Sequence, residues 1–265
     1  MIEALSYAWM QNAVVASILS AIACGVIGTL VVVNRMSTLT GAVAHASFGG
    51  LGLAYLLGMP PMAGAVLVSM GTALGVGAIS SGTRREYPDT AMAAFWATGM
   101  AAGLIFVRLR GGYAPDLMSW LFGSLLTVSR TDLVLAGSLD LLVLLLVGGL
   151  FKELTAVSYD SEFSRIRGVR TALIRSVFLA LTALVIVMLM KISGLIMVMA
   201  LMTIPAAVAR MFTKGLRRMM ILSSILALAL SLGGLALAYV LDLPPGAVII
   251  LLAGALYFIS HIVKN

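Results

Sequence analysis

The sequence predicts an all-α protein, a polytopic bundle of transmembrane helices, and three observations carry that reading. Hydrophobic residues make up 62% of the 265-residue chain and charged ones 10%, with a mean hydropathy of +1.12. So few polar side chains cannot cover a water-soluble globule. The apolar runs are about 20 residues long, as a helix crossing the hydrocarbon requires, whereas a membrane β-barrel shows alternating segments of about ten. Finally, the single cysteine, Cys24, lies inside an apolar run. Disulfides and cysteine-rich metal sites are thereby excluded within one chain.

Taken in order, the first span covers about residues 11–33 and ends at Asn34 and Arg35. No cleavable signal is expected, because Met1 to Tyr7 lacks a basic segment and the apolar stretch after Trp9 is too long for a signal core. The second span, about 41–57, contains His45 and is dense in small residues: Gly41, Ala42, Ala44, Ala46, Ser47, Gly49, Gly50 and Gly52. Small residues let helix backbones approach closely, so this helix is expected at the centre of the bundle. The turn Met59-Pro60-Pro61 separates it from a third span, about 62–81, which ends in SGTRREYPD; a fourth covers about 90–107. Leu117 to Val128 is an apolar piece of only about twelve residues, too short to span and expected as a re-entrant or interfacial helix. Further spans follow at about 133–151, 172–190, 192–209, 220–241 and 246–262. With no internal repeat, linker or low-complexity tract, residues 1–265 are expected to form a single domain.

Basic residues orient the bundle, because cytoplasmic loops are enriched in Lys and Arg. If the short piece does not cross, 13 of the 17 basic residues fall inside and 4 outside, with the N-terminus outside; if it crosses, the tally is 12 against 5. The first arrangement is preferred, since apolar length supports it as well. Arg108, Arg110 and Lys191 are then expected outside, available to acids on a docking protein. The formal charge of +7 marks cytoplasmic loops and not a nucleic-acid partner.

The longest polar interval, Lys152 to Arg170, reads as a short cytoplasmic helix. Asp160 is its N-cap, Glu162 sits in the first turn, Arg165 and Arg167 in the last, and Gly168 ends it. Tyr159, Phe163 and Ile166 share one apolar face. Two turns of helix are not stable alone in water, so that face is expected to rest on another protein; packing on its own membrane bundle is the alternative.

An ionisable side chain at the centre of a span costs roughly 2.5–3.5 kcal/mol on insertion scales. Two residues qualify, Asp140 near the middle of the fifth span and His45 about one turn inside the second. Imidazole is a good ligand for zinc and other borderline metals, and a carboxylate suits a divalent cation in passage. The bland reading hydrogen-bonds each to a neighbouring helix. Met188, Met190, Met197, Met199 and Met202 do not keep to one helical face and are read as core or bilayer filler, while Pro205 predicts a kink or break in its span. No GxxxxGK[ST], HExxH or GxSxG pattern occurs. The chain is therefore not expected to be an enzyme, and ATP, if it powers transport, is bound by another subunit.

Several stretches in order resemble the membrane permeases of zinc, manganese and iron ABC importers, the ABC-3 family: YPDTAMAAFWATGMAAG, DLMSWLFGSLLTVS, YDSEFSRIRGV, KISGLIMVMALMTIPAAVARMFTKGLRRM and GLALAYVLDLPPGAVIILLAGALYFIS. The resemblance implies about eight or nine spans, a homodimer with the pathway between subunits, two cytoplasmic ATPase subunits, an extracytoplasmic metal-binding protein and a multi-pass place in the cell (inner) membrane. It implies that Tyr159, Glu162, Phe163, Arg165, Ile166 and Gly168 form the segment that couples to the ATPase. No cofactor is implied for this chain, the divalent transition metal being its cargo. Family members generally carry an Asp four residues before the histidine matched by His45, and Gly41 stands there. Two alternatives stay open: an ABC permease for a metal chelate or vitamin B12-type substrate, and an ATP-independent secondary transporter, which should show inverted repeats and more intramembrane charges.

Overall fold

The computed structural model describes residues 6–81, 88–111, 123 and 125–264. Among them, nine helices are long and apolar enough to cross a membrane. These are α1 (Ala8–Val33), α2 (Ser37–Leu57), α3 (Pro61–Ser81), α4 (Pro88–Arg110), α5 (Arg130–Gly149), α8 (Thr171–Ser193), α9 (Leu195–Phe212), α10 (Leu216–Leu241) and α11 (Pro245–Lys264). Two short helices, α6 (Phe151–Tyr159) and α7 (Ser161–Ile166), occupy the polar interval. Most of the proposed 117–128 piece lies outside the described residues; its end is a single 3-10 turn, Leu125–Thr127.

Local chemistry explains where the helices end. At α5 the Ser129 hydroxyl accepts from the Asp132 amide while the Asp132 carboxylate accepts from the Ser129 amide, a reciprocal cap. The boundary between the sixth and seventh spans falls at Gly194, three residues beyond the expected place. Lys191 stays inside α8 because its ammonium pairs with Asp132 at the start of α5. Pro205 does not break α9, which continues through it to Phe212, although the Leu201 carbonyl loses its intrahelical donor there.

The helices group into two compact units interleaved in sequence. The first holds Met1–Arg35, Met118–Leu150 and Met188–Asn265, and α1 is its hub, packed on α5, α9 and α10. Glycines set the contacts: a Cβ on Gly28 would collide with the Met202 carbonyl, and one on Gly25 with the Ser224 backbone. Met188, Met190, Met197 and Met202 are buried, as filler should be.

Ties within this unit fix which helix ends lie together. The Asn12 amide donates to the Val128 carbonyl at 3.0 Å, so α1 begins beside the residues that lead into α5. At the other end of α1, Arg210 donates to the Val32 carbonyl at 3.4 Å.

The second unit holds Met36–Leu117 and Phe151–Val187, and α2 is its buried centre between α3 and α4. Thr38 donates to Asp89 at 3.3 Å at one end, and Arg110 donates to the Tyr55 carbonyl at the other. Helices α2 and α4 therefore run parallel. Along this seam Gly49 faces the Gly99 carbonyl and Gly52 faces Gly103, while Gly50 meets Gly64 of α3. Gly99 and Gly103 are a small-xxx-small pair of the kind that brings membrane helices into backbone contact.

Candidate functional site

His45 projects from α2 toward α4, on the line of Gly41 and Gly49 one turn to either side. Its ring stacks on Trp96, with centroids 4.1 Å apart and planes inclined by 15°. Its Nδ1 lies 3.1 Å from the thioether sulfur of Met100. Trp96 and Met100 are one turn apart on α4, so they present an aromatic wall and a sulfur lone pair to the same imidazole. The small residues of the seam make this possible, because a bulkier contact at Gly99 would hold α4 too far from α2 for ring stacking.

Half-exposed, His45 keeps access to whatever passes this face. What the arrangement offers a cation is one nitrogen and one sulfur, both neutral donors. Among the described residues no group of three or more His, Cys, Asp or Glu side chains is gathered in one place. The site thus offers two donors and not a closed cage.

Asp140, the other intramembrane candidate, belongs to the first unit. It is 6% exposed, on the same side of α5 as Ala136, Val143 and Val147, while Leu141, Leu144 and Leu145 point outward. Its Oδ2 has no hydrogen-bond partner among the described residues. This carboxyl is packed inside a helix contact, where a polar group is costly to leave unpaired.

The polar interval differs from the single short helix expected there. Tyr159 closes α6, and the chain turns at Asp160 before α7. The reason is the cap itself: Asp160 is extended, and its carboxylate accepts from the Phe163 amide at 2.9 Å, starting a new helix. At the far end Gly168 adopts φ +83°, its amide donates to the Arg165 carbonyl and the Val169 amide to that of Ser164, both at 3.0 Å. That is a Schellman closure, and it needs a left-handed residue. Glu162 lies in the first turn and Arg165 in the last. Every strong terminus signal is used, yet the apolar side chains stay bare: Tyr159 is 65% exposed, Phe163 52% and Ile166 82%. The Arg167 guanidinium covers one face of the Phe163 ring, 4.8 Å from its centroid.

Two cations expected to be available for docking are engaged within the chain. Lys191 pairs with Asp132, and Arg110 donates to the Tyr55 carbonyl while lying over the Tyr55 ring. Each sits at a helix end beside an acceptor from a helix distant in sequence, which a one-dimensional reading does not show. Trp96 and Met100 were likewise not singled out by the sequence; the only trace of them is their i, i+4 spacing.

Residues 6–264 match the family model described as the ABC 3 transport family. An uncharacterised membrane protein of Synechocystis sp. is 42% identical over 260 residues, covering 98% of this chain and 92% of its own length. A protein of Halalkalibacterium halodurans named manganese transport system membrane protein MntC is 30% identical over 258 residues, covering 97% of this chain and 88% of its own. Among solved structures, PsaBC from Streptococcus pneumoniae in complex with Fab superimposes with a TM-score of 0.87 at 28% identity, covering 98% of this chain and 93% of that one.

Proposed function

The chain belongs to the ABC 3 transport family, and on that premise we propose that it is the membrane permease subunit of an ATP-binding-cassette importer for divalent transition-metal ions, zinc, manganese or iron. Two copies enclose the pathway in the cell (inner) membrane, cytoplasmic ATPase subunits drive it, and an extracytoplasmic metal-binding protein delivers the cargo. The relative named as a manganese transport protein supports the cargo class. His45 is the metal contact of the pathway, and Asp140 a second polar point within the bundle.

The observation that carries the coupling part of this reading is α7, a fully capped two-turn helix whose Phe163 and Ile166, with Tyr159 at the end of α6 just before it, are in the open. Residues of that size stay exposed on a short, well-terminated helix when a second protein covers them. Tyr159, Phe163 and Ile166 enter a groove on the ATPase, and Arg165 and Arg167 lie at its rim. Replacing Phe163 by Asp places a charge in that apolar contact. The expected result, in proteoliposomes holding permease, ATPase and binding protein, is loss of metal uptake with a normally inserted permease. Undiminished uptake by that variant removes α7 from the coupling role.

A further inference from the structure

The geometry points to Met100 as a second cargo ligand, which with His45 makes the passage selective for zinc(II), a borderline cation, over manganese(II). This rests on the reading of the chain as a metal permease and narrows its substrate.

The Nδ1 of His45 and the sulfur of Met100 are 3.1 Å apart and face one another across the α2–α4 seam. A zinc ion bound to both, at about 2.05 Å from nitrogen and no closer to the thioether than the roughly 2.3 Å of a thiolate, with a tetrahedral angle, sets them at least about 3.6 Å apart. The pair therefore has to open by at least about half an ångström, a movement within the reach of a methionine with three rotatable bonds. The stack on Trp96 fixes the plane of the imidazole, so its Nδ1 stays aimed at the sulfur while the thioether swings. Without a cation the 3.1 Å contact is an Nδ1–H to sulfur hydrogen bond, so ion binding takes the tautomer that carries the ring proton on Nε2.

What is missing from the seam matters as much. Helices α2 and α3 carry no carboxylate, and α4 has only Asp89 in its first turn, engaged by Thr38 and eleven residues before Met100. Along α4 that separation is about 16 Å. A cation passing His45 therefore meets nitrogen and sulfur and no protein carboxylate from these helices. Manganese(II) favours oxygen donors, whereas imidazole and sulfur donors suit zinc and softer ions.

The test is a ratio, so that poor folding does not imitate the result. Full-length permease is reconstituted with its ATPase and binding protein, and initial uptake of zinc chloride and manganese chloride is measured separately. Wild type should favour zinc. Met100→Leu should lower zinc uptake about tenfold while changing manganese uptake by less than twofold, and Met100→Glu should move the ratio toward manganese. An unchanged zinc-to-manganese ratio in both variants overturns the inference. Wild type that moves neither metal overturns the permease reading itself, and the inference with it. As a second measurement, zinc K-edge absorption on purified, zinc-loaded permease should show a sulfur shell that Met100→Leu removes. A spectrum with nitrogen and oxygen alone in wild type overturns the assignment.

Discussion

Helices α2 and α7 treat apolar surface in opposite ways. Most of the 21 residues of α2 are buried, yet its side chains are small, and what covers them is the backbone of α3 and α4. Helix α7 has six residues, of which Ser164 alone is buried, and its large side chains are in the open. The difference teaches what counts as an unsatisfied surface in a membrane protein. Exposed leucines on α5 need no partner, because lipid covers them as well as protein does. An exposed Phe163 lies in the polar interval, with Arg165, Arg167 and Arg170 following it in sequence, where hydrocarbon is not expected to cover it. The small residues of α2 in turn mark a contact already completed.

The contrast can be broken by exchanging the two rules, and the largest effect is expected in α2. A Cβ on Gly50 would overlap the Gly64 carbonyl of α3, a backbone atom that cannot swing aside. Gly50→Leu should therefore destabilise the bundle by about 3 kcal/mol or more, seen as a lower thermal midpoint and loss of monodisperse protein in detergent. A normal midpoint would show that the seam is looser than its geometry. Next comes Gly168→Ala, which forces a left-handed residue to carry a Cβ and should cost α7 about 1–2 kcal/mol. Amide exchange in residues 161–168 should rise roughly tenfold with the bundle midpoint unmoved. The smallest is Asp160→Ala, which removes one side-chain cap, costs about 1 kcal/mol and should give a rise of about fivefold in the same exchange. Equal effects of either α7 variant on the bundle would mean that α7 is part of the packed core, contrary to its exposure.

The sequence carried the fold well where one dimension suffices. Apolar length placed the nine spans to within a few residues, and Asp160, Glu162 and Gly168 announced both ends of α7, because capping is chemistry between residues three or four apart. It did not show that the polar interval holds two helices, since Tyr159 continues an apolar periodicity straight across the break. The site was half legible. His45 stood out as an ionisable group in a span, but its partners lie 51 and 55 residues away, and a single sequence does not say that α2 pairs in parallel with α4. The partner of Lys191 stayed hidden for the same reason: Asp132, the acid that pairs with it, lies 59 residues earlier.

The parallel seam also sets a depth. His45 is eight residues from the start of α2 and twelve from its end, or about 12 and 18 Å at 1.5 Å per residue. Entering from the Tyr55 end, which the proposed orientation places outside, a cation at His45 has crossed about three fifths of the helix. At 100 mV, negative inside, a dication at that point has gained about 2.8 kcal/mol from the membrane potential. On the proposed reading of His45, neutral donors leave the ion's full charge for the field to act on, so the cell's voltage would add to the ATPase in drawing the ion there.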